Sequence, residues 1–212
     1  MASSSLLSTA YLGPVSYYAR LLTADVVRIE AYENFQKQTF RNRCIIATPA
    51  GPQALTIPIV HTGTSTPIRD VELSTHGTWT HLHWQALVSA HRQSPFFDYY
   101  EDYLRPFYEH PPRFLWDFNE GLRATICELL DIATPILTTN DYIPIPPHDI
   151  EDCRTLISPR TPSDADTRFH PLPYYQVFAQ RTGFLPNLSI CDLLFNMGPE
   201  SRIVLRKSIL LG

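Results

Sequence analysis

Glycine is scarce, with 8 in 212 residues, and none falls in a G-x-G-x-x-G or G-x-x-x-x-G-K-[ST] arrangement. That excludes the two familiar glycine loops that wrap a backbone around phosphates. Cysteine is equally sparse. Cys44, Cys127, Cys153 and Cys191 form no C-x-x-C pair and no metal-ligand spacing, so they read as free thiols, with Cys127 and Cys191 as small core residues inside helical patterns. No apolar run approaches the roughly 20 residues of a membrane span. The opening "MASSSLLSTAYLGP" lacks the basic start of a signal peptide, so the expectation is a cytoplasmic protein. Positive charge is not in excess either. A formal net charge of -4 and a pI near 6.0 exclude broad binding to nucleic acid or anionic lipid, so any anion site must be local.

The hydrophobic content of 44% is enough for a substantial core, and the chain reads as one compact unit, 1–212. "SLLSTAYL", then Tyr17, Tyr18, Leu21 and Leu22 at helical spacing, then "DVVRIEA", spell strand, helix and strand within the length of one βαβ unit. "QTFRNRCIIAT", "PAGPQ" and "ALTIPIV" read as a β-hairpin, and "IRDVELS" as a further strand. The expected fold is α/β: an N-terminal βαβ unit continuing into a mixed β-sheet over 1–75, covered by a helical C-terminal half.

The helical layer spans 76–140. Trp79, His83, Leu87 and Ala90 share a stripe. Ser94 is placed as N-cap and Pro95 at the first helical position of the next helix. Leu115, Phe118, Leu122, Ile126, Leu129 and Leu130 form the buried face of a third. Seven of the nineteen prolines crowd residues 144–173, which read as an irregular surface excursion or a cover over a site. The region 174–212 closes with helices, one over "YYQVFAQRTG" and one over "SICDLLFNMGP", where Ser189 caps and Asp192 completes a capping box.

Candidate chemistry is thin. His76, His81 and His83 cluster, but on a helix His81 and His83 stand about 200° apart and cannot share an ion, so no metal site is expected. His83 remains as a lone acid–base candidate, against the plainer reading of a half-buried histidine under Trp79. In "FQKQTFRNRC", an extended backbone sends Lys37, Arg41 and Arg43 to one face and Phe40 and Cys44 to the other. Such a row either grips a phosphate or carboxylate or guards a sheet edge. The aromatics from Phe96 to Tyr108 read as core and rim, with a stacking wall as the alternative.

Together these segments resemble the WbqC-like family of bacterial proteins. The resemblance rests on "STAYLGPVSYYARLLTADVV" at 8–27, on Phe35, Gln36, Lys37, Asn42 and Arg43, and on Trp79, His83 and "SPFF". It departs from the family where Thr9-Ala10 replaces a Gln-Pro and His91 replaces a tyrosine. It implies an intracellular role in glycan or metabolite modification. The expected activity is a transferase using a small anionic activated donor in cell-surface polysaccharide or related glycan biosynthesis. In that reading Lys37, Arg41 and Arg43 hold the donor's anionic group, Asn42 orients it, His83 moves a proton and Tyr11 lines the pocket. The alternative is a non-catalytic binding or scaffold subunit of a glycan-assembly complex. The expected partner is a small anionic or sugar-derived ligand, without nucleic acid or membrane insertion and with homo-oligomerisation left open. No cofactor is named.

Overall fold

The computed structural model describes residues 4–60, 65–162 and 165–210. The chain opens with β1 (Ser4–Ser8), α1 (Val15–Thr23) and β2 (Val26–Glu30), and β1 and β2 pair in parallel from Ser4↔Val26 to Ser8↔Glu30. Leu6, Leu7, Val27 and Ile29 are all fully buried. Such near-continuous burial is the mark of parallel strands covered on both faces. α1 is buried through most of its circumference and still carries Arg20, whose two terminal nitrogens pair with Glu151 at 3.1 Å and Asp166 at 2.7 Å. That pairing ties the proline-rich region to the first helix.

Two short strands join from the second half of the chain, β5 (Ile136–Thr138) beside β2 and β6 (Ile150–Asp152) beside β1. The four-stranded sheet is parallel throughout, in the order β5-β2-β1-β6. The antiparallel component stands apart as the hairpin β3 (Arg43–Thr48) and β4 (Gly51–Thr56), closed by Pro49 and Ala50. Gly51 holds φ +112, a conformation side chains resist, which is why this turn ends on glycine. Parallel and antiparallel pairing are thus both present, divided between two sheets.

α2 (Trp79–His91) packs on the hairpin through β3, α3 (Phe97–Glu109) lies between α2 and α4 (Leu115–Leu129), and α4 rests on the turn at Ile68–Asp70. The stripe of Trp79, His83, Leu87 and Ala90 is buried, as are Leu115, Phe118, Leu122, Ile126 and Leu130. The fold closes with α5 (Ala179–Thr182), α6 (Ile190–Met197) and α7 (Ser201–Lys207). One contiguous set of buried side chains runs from Leu7 to Ile209, with all four cysteines buried. No helix among the described residues is long and apolar enough to cross a membrane.

Several local expectations are corrected. Residues 35–42 are turns and irregular chain, and the strand begins only at Arg43. The alternation that would align Lys37, Arg41 and Arg43 therefore does not exist. "IRDVELS" forms a 3-10 turn at Ile68–Asp70 followed by isolated bridges, because Pro67 and the bridges of Leu73 to Ile59 and Glu72 to Phe114 leave no continuous ladder. The polar stretch before it lies partly outside the described residues, at 61–64. α3 starts at Phe97 with no side-chain cap, and the Ser94 hydroxyl is buried with no partner among the described residues. Ser189 does cap α6 through the Cys191 N–H, but the Asp192 carboxylate turns away to Tyr174 and Gln176.

Candidate functional site

In a parallel sheet every strand ends at the same edge, and the chain leaving one strand diverges from its neighbour where the strand order reverses. Here that point lies between β1 and β6, since β2 and β5 continue to the other side of β1. An opening is found there. Its narrow throat is lined by Ser8 at the end of β1 and Thr9 after it, Cys153 and Arg154 after β6, and by Tyr17 of α1 and Arg41. The throat leaves about 10 Å³ for the centre of a water-sized sphere, room for one water molecule. Arg41 and Arg154 also border an outer chamber of about 470 Å³, within the usual range of small-molecule sites. Its walls include Tyr32, Glu33, Asn34 and Gln36 from the chain after β2, and Tyr142, Asp152 and Thr155 from the proline-rich side.

Both guanidinium groups are held by carboxylates. Arg41 donates Nε to Glu33 Oε1 at 2.9 Å and Nη2 to Glu33 Oε2 at 2.5 Å and Ser8 Oγ at 2.8 Å. Arg154 donates Nε and Nη2 to the two oxygens of Asp152 at 3.0 and 2.7 Å, and Nη1 to the Ile143 carbonyl at 2.6 Å, with Glu30 Oε2 3.5 Å away. Burial alone would raise the Asp152 carboxyl, but the hydrogen bonds from Arg154 outweigh it and hold it below its ordinary range. Glu30, wholly buried, accepts from the Tyr32 and Ile143 N–H groups and from Thr139. Burial pushes the Cys153 thiol up to about 12, so it is no nucleophile at neutral pH.

A second polar group sits deeper. The Tyr11 hydroxyl lies 3.0 Å from His83 Nδ1 and 2.9 Å from the Tyr108 hydroxyl. Burial lowers the His83 pKa to about 4, opposed by a hydrogen bond to the Thr56 backbone, so the ring is neutral at pH 7. The network assigns the tautomer: one nitrogen donates to the Thr56 carbonyl and Nδ1 accepts from Tyr11, whose oxygen accepts from Tyr108. Trp79 packs edge-on against the ring, at 5.3 Å between centroids.

The residues singled out from sequence therefore separate. Tyr11 and His83 meet each other, away from the cleft walls. Arg41 reaches the cleft. Asn42 is buried, donating to the Ile57 carbonyl at 2.9 Å while its Oδ1 has no partner among the described residues. Arg43 leaves the hairpin's outer side and donates to Thr56 Oγ1 at 3.1 Å. Lys37 is exposed and in no ion pair among the described residues, and its carbonyl accepts from Arg160 at 3.3 Å. Glu33, Asp152, Arg154 and Tyr17 were missed. A usable signal existed for Glu33, which follows a recognisable parallel strand and so stands at the carboxyl edge of the sheet. Nothing periodic marks Asp152 or Arg154. Among the described residues no group of three or more His, Cys, Asp or Glu side chains could hold a metal ion.

Comparison with known proteins adds a family and a relative. The family described as "WbqC-like protein family" matches residues 9–159, a span that takes in nearly all of the cleft lining. A Mycobacterium tuberculosis protein titled "Uncharacterized protein Rv1507c" is 28% identical over 235 residues, covering 97% of this chain and 98% of that protein. No solved structure matches.

Proposed function

The chain belongs to the WbqC-like protein family, and from that membership and the cleft within the matched span we propose that it is a transferase seating a small activated donor at the carboxyl edge of its parallel sheet. The reaction belongs to cell-surface polysaccharide or related glycan biosynthesis, carried out in the cytoplasm. The observation that carries the reading is a chamber of ligand size beside the opening between β1 and β6, with Arg41 and Arg154 in the walls of both.

The donor's anionic group lies at the chamber's rim. Lys37 follows the lining residue Gln36, and Arg160 crosses from the proline-rich side to the Lys37 carbonyl and to Gln38 Oε1, so that an exposed guanidinium stands beside the Lys37 backbone. Arg41, held by Glu33, borders the chamber further in. Asn42 serves by holding the chain that carries Arg41, together with Asn119, which donates to the Arg41 carbonyl at 2.8 Å. His83 and Tyr11 support the loop after β1 from behind. Arg43, on the hairpin's outer side, drops out of the donor site.

Thermal-shift measurements with nucleotides, nucleotide sugars, acyl thioesters and sugar phosphates test this. A ligand at about a hundred times its dissociation constant adds roughly 2.7 kcal/mol of apparent stability. The expected result is a shift from one donor class in the wild type that is lost in Lys37→Ala/Arg160→Ala. An equal shift in both proteins overturns the anion assignment.

One observation favours the scaffold reading. Tyr99 and Tyr103, one turn apart on α3, are 72% and 55% exposed, while Phe97, Leu104 and Tyr108 of the same helix are buried. No shift from any donor class would transfer the function to that face.

A further inference from the structure

The cleft holds two guanidinium groups, but their donors are largely committed. Arg154 uses all three nitrogens on Asp152 and on the carbonyls of Ile143 and Pro144, and Arg41 uses Nε and Nη2 on Glu33 and Ser8. With Glu30 behind Arg154, three carboxylates face two arginines, so negative groups outnumber positive ones. An anion inside the chamber would find few open donors and an unfavourable field.

What remains open is of another kind. The Asp152 side chain is 35% exposed, and the walls also carry the exposed residues Asn34, Gln36 and Thr155, whose amides and hydroxyl make no side-chain hydrogen bond among the described residues. Carboxylates accept, and amides both donate and accept, so the set matches adjacent hydroxyl groups. Tyr142 is 51% exposed, with the Arg154 guanidinium 5.6 Å from its ring, and offers an aromatic surface to the C–H face of a ring. At the inner end, Tyr17 is among the residues lining the throat, and its hydroxyl is buried with no hydrogen-bond partner among the described residues. A buried hydroxyl favours a hydrogen-bonding partner, and a ligand hydroxyl can take the place of the one water that the throat admits.

We infer that the group seated in the chamber is an uncharged, hydroxyl-bearing ring, a sugar residue, which directs one hydroxyl down the throat to Tyr17. The inference rests on the proposed use of the cleft as the donor site. It assigns the donor's charged portion to the rim at Lys37 and Arg160 and its sugar portion to the interior.

The test uses the full chain with methyl glycosides of neutral hexoses and N-acetylhexosamines, and with inorganic phosphate and AMP as anionic probes, followed by saturation-transfer NMR and titration calorimetry. Tyr17→Phe removes one oxygen and leaves the packing, so its melting temperature holds or rises. Tyr142→Ala alters an exposed ring. At least one glycoside is expected to bind saturably, with affinity about tenfold weaker in each variant. Absence of glycoside binding, equal binding to both variants, or displacement of a bound glycoside by phosphate overturns the inference. AMP binding that needs Lys37, without glycoside binding, removes this inference and leaves the transferase reading. Glycoside binding unaffected by Lys37→Ala and Arg160→Ala keeps this inference and removes the anionic-donor assignment.

Discussion

Arg41 closes on Glu33 through two parallel hydrogen bonds, 2.9 and 2.5 Å long, between side chains only 4% and 6% exposed. The pair fastens the chain leading into the hairpin to the carboxyl end of β2. Its geometry explains why Arg41 does not project as one of a row of free cations. A bidentate, buried pair is more informative about position than about net stability, because desolvation offsets much of its attraction.

Breaking that pair from one side should be severe. Arg41→Ala leaves Glu33 buried and unpaired, which typically costs about 3–5 kcal/mol, whereas Arg41→Met with Glu33→Leu should lose far less. Urea unfolding of the two variants checks this through their midpoints at an unchanged slope. Equal losses would show that the pair is not what holds this segment.

Tyr11→Phe removes the group that both His83 Nδ1 and the Tyr108 hydroxyl face, and the expected loss is about 1–3 kcal/mol. His83 also contributes to acid sensitivity. Its folded pKa of about 4 lies below the ordinary 6.5, so its neutral form is selected by folding. That contribution is complete above pH 6.5 and is lost as the pH falls towards 4. His83→Gln should flatten the pH–stability curve over that window, and an unchanged curve would contradict the burial of the ring.

His91 is buried with neither ring nitrogen partnered among the described residues, its ring 5.1 Å from that of Phe195, and burial lowers its pKa to about 3. Replacing it by an apolar side chain of similar size removes two unsatisfied groups. His91→Leu is expected to gain about 1 kcal/mol at pH 7 and more at pH 5, where the wild type pays for keeping the ring neutral. Calorimetric melting at both pH values reads the difference, and a loss at pH 7 refutes it.

Asp192 acts with the opposite sign. Burial raises its carboxyl to about 6, against the hydrogen bonds from Tyr174 and Gln176. A folded pKa above the unfolded value means that its contribution is full below about pH 4 and lost as the pH rises through 6. Asp192→Asn keeps an oxygen for both donors, so it should match the wild type near pH 4 and exceed it by about 1–3 kcal/mol at pH 7.5. Urea midpoints at the two pH values decide it, and equal midpoints at pH 7.5 would show that the carboxylate is well solvated.

What was legible in the sequence was what local burial writes into periodicity. β1, α1 and β2 announce themselves because that unit is largely apolar, the stripe from Trp79 to Ala90 and the face from Leu115 to Leu130 because helices repeat at 3.6 residues, and Cys127 and Cys191 because they sit within apolar helical patterns. The spaced motifs running from Tyr11 to His83 pointed to the family. β5 and β6 were not legible, since three residues carry no period. Nor was the site: Asp152 and Arg154 become neighbours of Glu33 and Arg41 only when β6 pairs with β1. Composition determined that any anion site would be local, but only the tertiary structure decided that Arg41 faces Glu33 rather than solvent, because an ion pair depends on which strand ends converge and not on the spacing of charges along the chain.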